Sequence, residues 1–156
     1  VALTAYTQPK FLLNHMGKAL VNMSTDTFKV GLIASGTLNA SRTTTEAYEF
    51  VSDLLANSGS ALTEVSGTGY SRQSLTSVAW SQSALVVEFT AANPAWTSST
   101  FSTNYAWIHD ETASSTTDAT RPLLAIFDLG GTQSVSGTTF TLTVNASGLA
   151  TFTAAV

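Results

Sequence analysis

The chain has 156 residues, 44% of them hydrophobic and only 10% charged, with no cysteine and a net charge of −4. That length can bury the core of one domain, the lack of cysteine excludes disulfides and thiolate metal sites, and Lys10, Lys18, Lys29, Arg42, Arg72 and Arg121 are too dispersed for a nucleic-acid surface. Soluble domains ordinarily carry about 25% charged residues; here serine and threonine must face water instead, which gives up charge repulsion between molecules and leaves few groups for catalysis.

Residues 1–8 are uncharged and alternate Ala2, Thr4 and Tyr6 with Leu3, Ala5 and Thr7, the pattern of an extended arm able to add to a neighbour's sheet edge. A helix is expected over 8–21, opened by Pro9, with Leu13, Met16, Leu20 and Met23 on its core face beside Leu12. Asn14, His15 and Lys18 keep this run far short of the roughly 20 apolar residues of a membrane span. No basic segment precedes it, so the expectation is a soluble product of a cytoplasm, without an export signal and without a membrane partner. Residues 27–34 alternate as a half-buried strand around Gly31. Thr43 and Glu46 then offer a capping box for a second helix with Ala47, Tyr48, Val51, Leu54 and Leu55 as its apolar stripe, ending near Asn57 to Gly59.

Beyond that point the period is two. Leu85, Val87 and Phe89 mark one strand, and Phe140, Leu142 and Val144 another. Tyr105–Ile108 and Leu123–Leu129 are apolar on both faces and belong in the middle of a sheet. Asn145-Ala146-Ser147-Gly148 predicts a turn joining 138–144 to 149–154 as a C-terminal hairpin. The expected fold is mainly β (α+β): an antiparallel β-sandwich or barrel-like single domain over 1–156, with two short helices in its N-terminal third and 1–8 as an arm.

Three ordered stretches, STDTFKVGLIAS (24–35), EVSGTGYSR (64–72) and RPLLAIFDLGGTQSVSGTTFTLTVNASGLATF (121–152), with aromatic segments at Asn93–Trp96 and Tyr105–Ile108, resemble a family of small tailed-bacteriophage virion proteins. The resemblance implies a non-enzymatic component of the particle, a decoration or cement protein on the capsid surface, with the major capsid protein and copies of itself as partners. A tail or fibre module binding host glycan is the alternative it leaves open. It assigns no role to His15 or Gly17.

The motifs that could carry chemistry are incomplete. Gly67-Thr68-Gly69 lacks the third glycine and the Gly-Lys-Ser/Thr ending of a phosphate loop and predicts a plain turn. His109-Asp110-Glu111 with Asp118 is the best metal candidate, but the alternating acids of a calcium loop are missing, so a solvated loop is expected over 110–120. No Gly-x-Ser-x-Gly elbow accompanies the serines, and Glu46 and Glu49 read as an exposed pair on one helix face. No catalytic, cofactor-binding or metal residues are expected. Trp80 and Trp107 read as core and Trp96, beside Pro94, as an exposed loop residue; Leu3, Tyr6, Tyr70 and Trp96 are the candidate interface residues.

Overall fold

The pairing of three strands organises the molecule, which is described by a computed structural model for residues 1–3, 5–39, 47–112 and 117–153. The elements in chain order are β1 (Ala2–Leu3), β2 (Ala5–Thr7), α1 (Leu12–Gly17), β3 (Phe28–Ser35), α2 (Val51–Ala56), β4 (Thr63–Glu64), β5 (Gln73–Ser74), β6 (Ala79–Ser83), β7 (Val86–Thr90), β8 (Ala95–Asp110), β9 (Leu123–Thr141), β10 (Thr143–Val144) and β11 (Ala150–Thr153). The fold is mainly β with two short helices, as expected. The largest sheet runs β2-β9-β8-β3-β4, with β5 also pairing on β3, and all of its pairs are antiparallel.

Both faces of this sheet are covered, which is why Tyr105–Ile108 and Leu123–Phe127 are apolar on both sides. Phe28, Val30 and Leu32 of β3 lie with Ala106 and Ile108 of β8 and Phe127 of β9 in a core shared with Phe89 of β7 and Ala150 of β11. The second sheet, β11-β7-β6, therefore packs on this side, where Phe28 and Phe89 meet edge to face at 5.1 Å. On the opposite side, Ile33, Trp107, Leu123 and Ile126 are covered by Tyr48, Val51, Leu54 and Leu62. β3 is thus more deeply buried than the half-buried strand its alternation predicted.

Gly31 makes that second side possible. It is the register partner of Trp107 on the neighbouring strand, and a Cβ placed on it would sit 2.3 Å from the indole Cζ2. The missing side chain is the space the ring occupies.

Four local expectations are corrected. The first helix is only α1: Leu12 and His15 are its buried residues, whereas Leu13 is 60% and Leu20 is 48% exposed. The chain leaves the helix after Gly17, with Ala19 left-handed and the amides of Leu20 and Val21 both donating to His15 O, so the seven-residue rhythm never shares one face. The second helix begins at Val51 rather than beyond a Thr43–Glu46 box, which lies outside the described residues. Its start is set by Asp53, whose Oδ2 accepts from the amides of Glu49 and Phe50 at 3.0 and 2.9 Å. It ends at left-handed Asn57 as predicted, with the buried amide bonded to Tyr48, Asn39, Thr37 and Ser60.

The C-terminal hairpin is absent as such. Its turn forms, with Gly148 N donating to Asn145 O at 2.8 Å, but the flanking strands part: β10 pairs parallel with β1, and β11 pairs with β7. Leu149 N donates to Phe89 O at 2.7 Å, so the chain is captured by the edge of β7 as soon as it leaves the turn. The arm is likewise claimed by its own molecule. β1 lies on β10 and β2 on β9, with Leu3 buried at 3% exposure and Tyr6 in register with Phe127.

Filling the space at Gly31 should be costly: Gly31→Ala is expected to destabilise the fold by about 1–3 kcal/mol through overpacking against Trp107, measured by denaturant unfolding followed through tryptophan fluorescence. Wild-type stability in that variant would show that the ring can move aside.

Candidate functional site

The charged residues that the sequence scatters are gathered on the α2 side of the main sheet. Arg72, just before β5, lies with its guanidinium carbon 5.3 Å from the centre of the Trp107 ring. Its Nε and Nη2 donate to Glu64 of β4 at 2.9 and 2.7 Å, and its Nη1 and Nη2 donate to Asp118 at 2.6 and 2.9 Å. Arg121 joins Asp118 to Glu111 through Nη1 and Nη2 at 2.9 and 3.1 Å. Glu111 also takes Lys29 Nζ at 3.1 Å and His109 Nε2 at 3.1 Å.

This network shifts its members in opposite directions. Burial alone would lower Arg72, but the hydrogen bonds and charges of Glu64 and Asp118 outweigh it and hold the guanidinium above its ordinary range. Asp118 is held down at about 2, chiefly by its hydrogen bonds to Arg72. His109 is fully buried, and loss of solvent brings it to about 4 against an ordinary 6.5, with Arg72 adding to the effect. It is therefore neutral at physiological pH, and its Nε2 carries the proton given to the Glu111 carboxylate. Glu111 itself stays below the usual range because the bonds from Lys29 and His109 overcome its own desolvation.

An arrangement in which Arg72, Arg121 and Lys29 already hold the carboxylates is built to fasten segments together. It ties the β4 corner and the segment before β9 to the face of β3 and β8. His109 and Asp110 are buried at the end of β8, not in a solvated loop, and no three His, Asp or Glu side chains converge as metal ligands among the described residues. Glu46 lies outside the described residues, while Glu49 precedes α2 and bonds to His15 Nε2 at 2.8 Å, docking α1.

The candidate interface residues fall in three places. Tyr70 and Trp96 are brought together, their rings stacked at 6.3 Å and 16°, with Phe101 and Phe140 closing an aromatic cluster. Trp96 is not the exposed loop residue expected: it lies in β8, is 1% exposed, and donates Nε1–H to Ser71 O at 2.7 Å. The loop ends at Pro94, before Trp96, because β8 already begins at Ala95. Half-buried Tyr70 accepts from Leu32 N at 2.9 Å and donates to Glu64 at 2.7 Å, so the cluster runs into the charge network. Burial, then the Glu64 charge, raises its hydroxyl far above the usual phenol range. Leu3 is core, and only the backbone position of Tyr6 in β2 is described. Of the remaining tryptophans, Trp107 is fully buried and Trp80 is half-buried against Phe152 at 5.5 Å. Gly67 and Gly69 make the predicted corner, crossing β8 so closely that a Cβ on Gly67 would meet Thr100 O at 2.3 Å.

The far ends of β8 and β9 form a ribbon without charge. From Phe89 to Ile108 and again from Leu129 to Val156 there is no Asp, Glu, Lys, Arg or His. The distal halves of β8 and β9 expose Thr97, Ser98, Thr100, Ser102, Ser134, Ser136, Thr138 and Thr139. Some of these hydroxyls bond one another along the surface, as Ser102 and Ser134 do at 2.8 Å. Comparison with protein-family models, curated proteins and solved structures finds no match for the chain.

Two outcomes are expected. Trp96→Ala should lower stability by about 3–5 kcal/mol, the usual loss for a truncated core aromatic, in a denaturant titration; a near-neutral effect would contradict its burial. Stability should also fall as pH drops from 6.5 toward 4, because unfolded His109 takes up a proton that the folded residue resists until about 4. A further fall should follow below 3.8 toward 2 as Asp118 is protonated. His109→Gln should flatten the first of these slopes and leave the second; an unchanged upper slope would place the titration elsewhere.

Proposed function

We propose that this chain is a non-enzymatic structural protein of a tailed-bacteriophage particle: a decoration or cement protein that lies on the outer capsid surface, contacts the major capsid protein and stabilises the head. The observation that carries this reading is the division of labour between charges and hydroxyls. Half of the six Lys and Arg residues, Lys29, Arg72 and Arg121, are bound to carboxylates behind the sheet, whereas the β8–β9 ribbon offers a broad neutral surface of serine and threonine. Such a surface suits lattice contacts made by burial, where neither partner must strip water from ions, and many weak copies on a shell add up through multivalency. The three stretches that carry the resemblance to virion proteins fall on β3, the β4 corner with Arg72, and β9 to β11. A glycan-binding surface would need exposed aromatic rings such as Trp96 for sugars to stack on, and that indole is inside the aromatic cluster. The acids of the network, held by arginine and lysine, are likewise withheld from substrate.

Binding of the purified protein to stripped particles should persist at about 1 M salt, where screening reduces the Debye length to roughly 3 Å but leaves apolar burial intact. Stripped particles should burst at a lower temperature than intact ones, and imaging should find the protein on the shell in hundreds of copies. Elution by salt, or stripped particles as heat-resistant as intact ones, would overturn the cement reading.

A further inference from the structure

The outer edge of β9 is only partly used. β2 pairs with it at Ile126 to Asp128, and past that point, among the described residues, β8 alone pairs with β9, while the Val1 ammonium donates to Thr141 O at 2.8 Å at the far end of the groove beside that strand. Between Asp128 and Gln133 the register with β8 shifts, at left-handed Gly130 and Gly131, and such a bulge turns a strand away from its neighbour. The next left-handed residue is Gly137. Between these glycines the run Thr132–Ser136 presents one side of its backbone to a shallow groove whose walls include Gln133, Ser134, Val135, Ser136 and Thr139.

Open edges in natural sheets are guarded by lysine, proline or inward charges. Leu129 to Thr141 contains none of them, and the β8 residues in register, Phe101, Ser102 and Thr103, are uncharged too. We propose that this edge pairs with the same edge of a second copy, antiparallel about a two-fold axis at Ser134, joining two main sheets into one. The occupant follows from the chemistry. Two-fold-related copies of one strand necessarily run antiparallel, and the run 132–136, with no charged side chain, meets itself without repulsion while offering a charged partner nothing to select. Centred on Ser134, the register overlaps both glycine-bracketed runs in full, sets Thr132 against Ser136, and covers half-buried Val135 with Gln133 of the other copy. Edge strand β6 of the second sheet is uncharged too, but its half-buried residue, Trp80, already packs on Phe152 of the same molecule.

The inference concerns the purified protein and stands apart from its place on a particle. Sedimentation should show a concentration-dependent dimer. Ser134→Lys sets two ammonium groups face to face across the axis, since directly opposed Cβ atoms lie about 5 Å apart, and should weaken the dimer about tenfold or more; Ser134→Glu should do the same. Mixing the two variants should restore a heterodimer, a rescue that a folding defect would not give. Because the chain has no cysteine, Ser134→Cys should form a disulfide-linked dimer on mild oxidation. A monomer at about 100 µM, a dimer indifferent to Ser134→Lys, or a dimer broken instead by Ser81→Lys in β6 would overturn the proposal. A failed dimer would leave the capsid reading standing, and a failed capsid assay would leave the dimer.

Discussion

Arg72 is a part-buried cation, its guanidinium lying against the Trp107 ring. That ring itself fills the space left by Gly31, so three layers of side chain and backbone are stacked across two strands. A cation in that position must find anions, because removing one partner of a buried pair leaves the other charge stranded. It draws Glu64 from β4 and Asp118 from the segment before β9, and Asp118 draws Arg121 and through it Glu111. The positions of two connecting segments therefore depend on one stacked arginine.

The far end of the β8–β9 ribbon has a different character: it carries no charged side chain and holds out rows of hydroxyls instead. Hydroxyls satisfied by one another, as at Ser102 and Ser134, keep the ribbon wettable without making it repel a second neutral surface. The aromatic cluster of Tyr70, Trp96, Phe101 and Phe140 stiffens the ribbon from beneath. It also connects ribbon to charge network, because the Tyr70 hydroxyl bonds both the β3 backbone and Glu64. A rigid neutral ribbon is a surface suited to packing against neighbours.

Local chemistry made much of this legible from the amino-acid order alone. Period-two alternation and the runs at 105–108 and 123–129, apolar on both faces, marked the central strands, since a strand covered on both sides is mostly apolar. Asn57 stopped α2 because a left-handed turn suits asparagine. Other features were decided only by tertiary contact. The turn at 145–148 formed, yet its two strands separated because β1 and β7 offered edges nearer than they offered each other. Trp96 beside Pro94 read as exposed, yet Tyr70, Phe140 and the Ser71 carbonyl, all far from it in the chain, enclosed it. The charge network was invisible for the same reason: Arg72 and Asp118 are 46 positions apart. Sequence periodicity reports which face of a strand or helix must avoid water, but the partner that covers that face is chosen by the path of the rest of the chain.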